Sequence, residues 1–237
     1  MYVDAQVAVD PTAALQAVAV SPATGKTLYF YSEEHRELST ADKWNRVRHV
    51  MASVGELASQ IDTAAAEGRP EALTLRLILQ TGMRNGNPPQ GALDDSKDSY
   101  GASSLLLEHI RLEAPDTLHL AFPGKKGVPQ VFEVQDAVLY AYAQARAAAG
   151  EERLFPHQAN ATLRYLRKLD PEIKVHDLRA WYASALAQAL IPSFEGVSGP
   201  KLPKAIAKIV AGKLGNTAGV AQKAYMHPGL FPEEEED

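Results

Sequence analysis

The chain has 237 residues, 46% of them hydrophobic, and no cysteine. That allows one large domain or two small ones around a real core, and it excludes disulfides and thiolate metal sites, so an intracellular, cytoplasmic setting is the simplest. The formal charge of −5 argues against a nucleic-acid binder, yet the five acidic residues 233–237 account for all of it, and without them 24 acidic residues face 24 basic ones.

Residues 1–24 show no clear period and end in the turn signal SPATG, so they are expected to form a tail or an edge. Asp4 and Asp10 and the absence of a basic leader argue against a signal peptide, and no stretch reads as a membrane span. Residues 26–32 (KTLYFYS) have strand composition, and a helix is expected from about Thr40, where Trp44, Val47, Val50 and Met51 approach helical spacing. A strongly apolar helix over 71–80 (EALTLRLILQ) runs into TGMRNGN, where Gly86 and Pro88-Pro89 break it. After a polar stretch, strands are expected over 105–112, 118–122 and 128–134, the last two joined by the tight PGKKG turn. Helices follow over 137–149, 159–169, 177–190 and 204–213, with a Ser/Gly/Pro-rich loop before the last. The pattern is α+β, predominantly α-helical, with one small three-stranded antiparallel sheet in the middle.

Charge is unevenly spread: between Lys174 and Lys223 seven basic residues face two acidic ones. A charge run is ordinarily a solvated face, but here it leads to Asn216 and Tyr225 in LGNTAGVAQKAYMHP. A phenol with an unperturbed pKa of about 10 is a poor nucleophile at neutral pH and needs cationic neighbours. Arg84 at a helix end, Lys125 or Lys126 at a hairpin tip, and Arg179 in VHDLRAWYAS can supply them. Attack on a phosphodiester requires a nucleophile, donors for the non-bridging oxygens and an acid for the leaving alkoxide, and this set fills those roles. Each residue also has a plainer reading. Arg84 can cap its helix, the lysine pair can protect a sheet edge, Asp177 can cap the helix that follows it, and Trp181 and Tyr182 can pack in the core. His109 and His119 lack metal-ligand spacing, and neither a phosphate-binding glycine loop of the Walker type nor a carboxylate cluster is present.

The segments TGMRNGN, SYGASSLLLEHI, FPGKKGV, VHDLRAWYASALA and LGNTAGVAQKAYMHP together resemble the type IB DNA topoisomerases, in that family's order and across roughly residues 25–228; the likeness is greatest to the small bacterial and poxvirus branch. The resemblance implies a tyrosine recombinase/topoisomerase IB-like catalytic domain at 25–228, flanked by the 1–24 segment and an acidic tail at 229–237. It implies Tyr225, Arg84, Lys125, Arg179 and Asn216 as the catalytic set, with Ser99, Tyr100, Lys126, His176 and Lys223 as DNA contacts. Asn216 stands where poxvirus and eukaryotic members often carry His, and still offers a neutral N–H donor. The expected partner is double-stranded DNA, relaxed by a monomer without metal, ATP or other cofactor, in a nucleoid-associated or viral setting. Relatives usually carry an N-terminal domain that closes over the duplex, and the residues ahead of the resembling region are too few for one, which leaves three alternatives: a minimal enzyme, a piece of a longer protein, or a chain that needs a clamp supplied by a partner. A tyrosine recombinase shares the HDLR motif and the Arg-Lys-Arg-Tyr chemistry and is the alternative; a non-catalytic DNA-binding remnant is a third.

Overall fold

The computed structural model describes residues 2–86 and 99–231; the polar stretch 87–98 and the acidic end 233–237 lie outside them. The described chain is mostly helical and carries two three-stranded antiparallel sheets, where the sequence pattern indicated one. The additional sheet is built from the segment expected to be a tail. Its strands β1 (Val3–Val7), β2 (Leu15–Val20) and β3 (Thr27–Tyr31) pair in sequence order. No alternation betrays β1 and β2, because Ala19 is the one buried side chain in the three strands and Val3, Val7, Tyr29 and Phe30 are exposed. Ladder hydrogen bonds and an edge-to-face contact between Tyr2 and Phe30, 5.7 Å between centroids, hold the sheet in place of a core.

Helix α1 (Glu33–Ala66) starts seven residues earlier than the apolar spacing predicts. Ser32 Oγ accepts from the His35 N–H at 3.1 Å, and Glu33 and Glu34 complement the helix dipole. The early turns bury nothing, so no apolar period could reveal them. At 34 residues and about 1.5 Å per residue, α1 spans from the first sheet to the body of the protein. Its second half packs on α2 (Pro70–Thr81), which opens with Pro at its first position and ends at Gly82 with φ +64°.

Around α2 lie β4 (Ile110–Glu113), β5 (Thr117–Pro123) and β6 (Pro129–Gln135), paired in that order, and the helices α3 (Ala137–Ala148), α4 (Ala159–Leu169) and α5 (Val175–Leu190). The strand expected from residue 105 begins at Ile110, because 102–104 and 107–109 form tight helical turns. Helix α6 (Lys201–Leu214) starts before the expected 204, since Pro203 is tolerated in a first turn. The short α7 (Ala218–Ala224) follows. Two apolar clusters result: Leu73, Leu75, Ile78, Leu118, Phe155 and Leu178 in one; Val47, Ala183, Ile206, Val210, Leu214 and Tyr225 in the other. Helix α5 contributes to both, and the candidate site forms where they meet.

Candidate active site

Arg84 follows the left-handed Gly82, and its backbone is held by the segment that reads SYGASS in the sequence. The Ala102 N–H donates to the Arg84 carbonyl at 2.8 Å, and the Ser103 N–H donates to the Asn85 carbonyl at 2.7 Å. Ser103 Oγ donates to the carbonyls of Asn85 and Gly86. This zipper requires two bare α-carbons, since a Cβ on Gly86 would lie 2.6 Å from the Gly101 backbone, and one on Gly101 would lie 2.5 Å from the Arg84 carbonyl oxygen. The glycines therefore bring two backbones into contact and fix the direction in which Arg84 leaves the chain.

Arg179 is the hub. It is 2% exposed and among the largest fully buried side chains of the described chain. One terminal nitrogen donates to the Gly82 carbonyl at the end of α2, the other to the Leu214 carbonyl at the end of α6 at 2.7 Å. Its guanidinium carbon lies 4.9 Å from the centre of the Tyr225 ring. Burial, with the charge of Arg84 adding to it and Tyr225 opposing, lowers the Arg179 pKa to about 10, so it remains a cation at neutral pH. Arg84 in turn donates from Nη2 to Asn216 Oδ1 at 2.9 Å. Because an arginine can only donate, that bond fixes the Asn216 amide with Nδ2 free to donate elsewhere. Arg84 with Asn216 and Arg179 with Tyr225, expected together from sequence, thus lie at one site drawn from three chain segments, the two guanidinium charges acting on each other.

Two donors of this site, Arg179 Nε and Asn216 Nδ2, are buried and have no hydrogen-bond partner among the described residues. Such groups are uncommon in folded proteins, because an unmet buried donor costs about 1–3 kcal/mol. A dianionic or monoanionic oxygen cluster beside Tyr225 would satisfy both.

His176 stands against the same tyrosine, with ring centroids 5.3 Å apart. It is solvent-accessible, yet protein atoms crowd the ring, and this burial first, then the charges of Arg179, Lys43 and Arg84, holds its pKa below the ordinary histidine value against the pull of Asp177. Helix α5 starts at Val175, ahead of the expected 177, so Asp177 stands in its first turn and not at the cap; its carboxylate accepts the Lys174 N–H at 2.9 Å and is ion-paired to Arg46 of α1 at 2.8 Å.

The hairpin lysines are placed differently. Lys125 and Lys126 are both exposed at the β5–β6 tip, with Lys126 in the left-handed region at φ +63°. What reaches the site is the base of the hairpin. Gln130 is buried there, against Gly124 on one side and Gly215, the residue before Asn216, on the other. A Cβ on Gly215 would come within 1.9 Å of Gln130 Nε2, and Gly215 also has φ +60°. Gly215→Ala is therefore expected to destabilise the protein by roughly the 1–2 kcal/mol of a left-handed alanine and to displace the Gln130 amide. An unchanged denaturation midpoint would contradict this packing.

Of the expected DNA contacts, Lys223 is exposed on α7, whereas the Tyr100 ring packs edge-to-face on His109 at 4.4 Å and Ser99 is half-buried beside it. Gln130 and Ser184 are contributors that sequence reasoning passed over. Ser184 Oγ, buried on α5, contacts the Tyr225 carbonyl at 3.2 Å and accepts the His227 N–H at 2.9 Å. A serine on the buried face of an otherwise apolar helix was the available signal.

The family model of the eukaryotic DNA topoisomerase I catalytic core matches residues 32–224. The chain belongs to the DNA topoisomerase I family. The match spans most of the chain and contains Arg84, Lys125, Arg179 and Asn216. It stops at Ala224, one residue before Tyr225, whose ring contacts Arg179 and His176. Membership makes DNA the substrate class. No curated protein matches the chain. Among the described residues, no helix is long and apolar enough to cross a membrane, and no group of three or more His, Cys, Asp or Glu could hold a metal ion.

Proposed function

We propose that this topoisomerase core relaxes supercoiled DNA by a type IB reaction in which Tyr225 is the nucleophile. The observation that carries the reading is the pair of buried, unpartnered donors, Arg179 Nε and Asn216 Nδ2, beside the tyrosine and next to Arg84. The phenolic oxygen attacks the scissile phosphorus. The P–O5′ bond breaks, leaving a 3′-phosphotyrosine and a free 5′-hydroxyl. Arg84, Arg179 and Asn216 stabilise the charge that builds on the non-bridging oxygens, a role in which one donor is worth about 10²–10³ in rate. Each terminal nitrogen of Arg179 keeps a second hydrogen beyond the one given to a backbone carbonyl, so the buried guanidinium can brace the site and still donate. In this reading His176, whose ring stands against Tyr225 and whose pKa is lowered, takes the phenolic proton, and Lys125 gives a proton to the departing 5′ oxygen. Both covalent states are esters of similar energy, so the nick reseals by reversal after the duplex swivels, without ATP.

In this reading side-chain cations supply the electrostatic stabilisation, and the monomer engages one duplex. The experiment is relaxation of supercoiled plasmid in EDTA without ATP. A ladder of topoisomers supports the proposal; strand exchange between defined sites would replace it with a recombinase, and DNA binding with neither activity would make the chain a catalytically silent member of its family.

The exposed hairpin tip bears on the acid. Gly124 is held between the Val128 carbonyl and Gln130, so Lys125 leaves from the anchored end of the turn, and Lys126 leaves from its left-handed crest. Lys125→Ala should slow cleavage by about 10²–10⁴, the range for a positioned general acid, and Lys126→Ala should slow it little. Equal losses at saturating protein would remove the distinction.

A further inference from the structure

Tyr225 lies where α7 has already ended. Its φ of −131° and ψ of −31° are off the helix, and α7, only seven residues long, holds the tyrosine through its N–H alone, which donates to the Ala221 carbonyl at 3.0 Å. Two other elements hold that backbone. From α5, Ser184 meets the Tyr225 carbonyl and the His227 N–H. From α1, Lys43 Nζ donates to the Ala224 carbonyl at 2.8 Å, one peptide before the tyrosine. The ammonium is itself seated, 3.7 Å from the centre of the Trp44 ring, and Trp44 meets the His227 ring edge-on at 5.3 Å. Arg46, one turn further along, pairs with Asp177 and so fixes α1 to the start of α5 beside His176.

We propose that Lys43 is a positioning residue for the nucleophile, holding the last peptide of α7 so that the Tyr225 ring stays between Arg179 and His176. The inference rests on the reading of Tyr225 as nucleophile. A surface lysine placed only for solubility would leave its ammonium in water, whereas this one is half-buried, with burial holding its pKa below the ordinary lysine value against the pull of Asp177. A carbonyl at a helix C-terminus otherwise lacks an intrahelical partner, and a cation there is favoured by the helix dipole. Lys43 therefore acts on the geometry of attack and leaves DNA affinity to other cations.

The test is single-turnover adduct formation on a nicked or suicide duplex by the full chain, compared for the unaltered protein, Lys43→Met, Lys43→Arg and Tyr225→Phe. DNA dissociation constants are measured alongside, at a temperature where circular dichroism shows every variant folded. Misplacing reacting atoms by about 1 Å costs up to about 10² in rate, so Lys43→Met should lower the saturating rate roughly 10- to 100-fold with an unchanged dissociation constant, and Lys43→Arg should recover most of it. A Lys43→Met protein at full saturating rate, a loss confined to DNA affinity, or no recovery with arginine would overturn the proposal. An adduct formed by Tyr225→Phe would instead overturn the nucleophile assignment and leave the packing role of Lys43 standing by itself.

Discussion

Tyr225→Phe is expected to bind duplex DNA as the unaltered chain does and to form no covalent adduct with it. The substitution removes one oxygen. The hydroxyl's hydrogen bond with Arg179 is lost, but the guanidinium over the ring and the ring contact with His176 survive, as do the backbone bonds from Ser184 and Lys43. Tyr225 is 5% exposed in a packed cluster, and phenylalanine fills that volume, so the thermal midpoint should move little. Loss of the nucleophile leaves water as the only attacking group, and the rate of strand cleavage should fall to background. Denaturing gels with labelled duplex read the adduct, and equilibrium binding reads the affinity. A denaturant-resistant adduct from the phenylalanine protein would move the nucleophile to another tyrosine, with Tyr182 the nearest alternative on α5.

The two arginines should separate chemistry from structure. Arg84→Ala removes a half-buried guanidinium whose recorded side-chain bond is to Asn216. Cleavage at saturating protein should drop about 10²–10³, with the denaturation midpoint nearly unchanged. Arg179→Ala removes the same order of transition-state stabilisation, but it also strips the Gly82 and Leu214 carbonyls of their partner and opens a large cavity at the junction of α2, α6 and the tyrosine. Two orphaned carbonyls and that cavity should cost several kcal/mol, on the order of 3–5. Cleavage and folding stability should therefore fall together in Arg179→Ala. Chemical denaturation combined with single-turnover cleavage checks both variants; an Arg179→Ala protein of full stability would contradict the hub described here.

Much of the candidate site's geometry was legible in the sequence, because Arg84, Arg179, Asn216 and Tyr225 sit in short motifs whose neighbours have local jobs. Gly101 and Ser103 of SYGASS brace the Arg84 segment, and Asp177 in HDLR accepts the N–H of Lys174 at the start of α5. Apolar periodicity marked α2 and α5 because both are buried on broad faces. It failed over β1, β2 and the first turns of α1, where the structure buries almost nothing and hydrogen bonds and a serine cap determine conformation. The supports of the site were hidden for another reason. Lys43 meets Ala224 across 181 residues, and Gln130 matters through the space left by Gly215, so neither carries a local signal. The fork of Arg179, read from sequence as a phosphate clamp, spends one hydrogen from each terminal nitrogen on backbone carbonyls, a use that only tertiary packing reveals.

The central claim is that Tyr225 becomes esterified to the 3′ end of a cleaved strand. Its most direct measurement is to trap the protein on a duplex labelled separately at each 5′ end and 3′ end, digest the denatured complex, and identify the DNA-linked peptide by mass spectrometry. The account predicts that the 5′-labelled fragment stays with the protein, that the opposite fragment is released with a free 5′-hydroxyl, and that the modified peptide contains Tyr225. Attachment through a 5′ phosphate, or modification of any other residue, would contradict it.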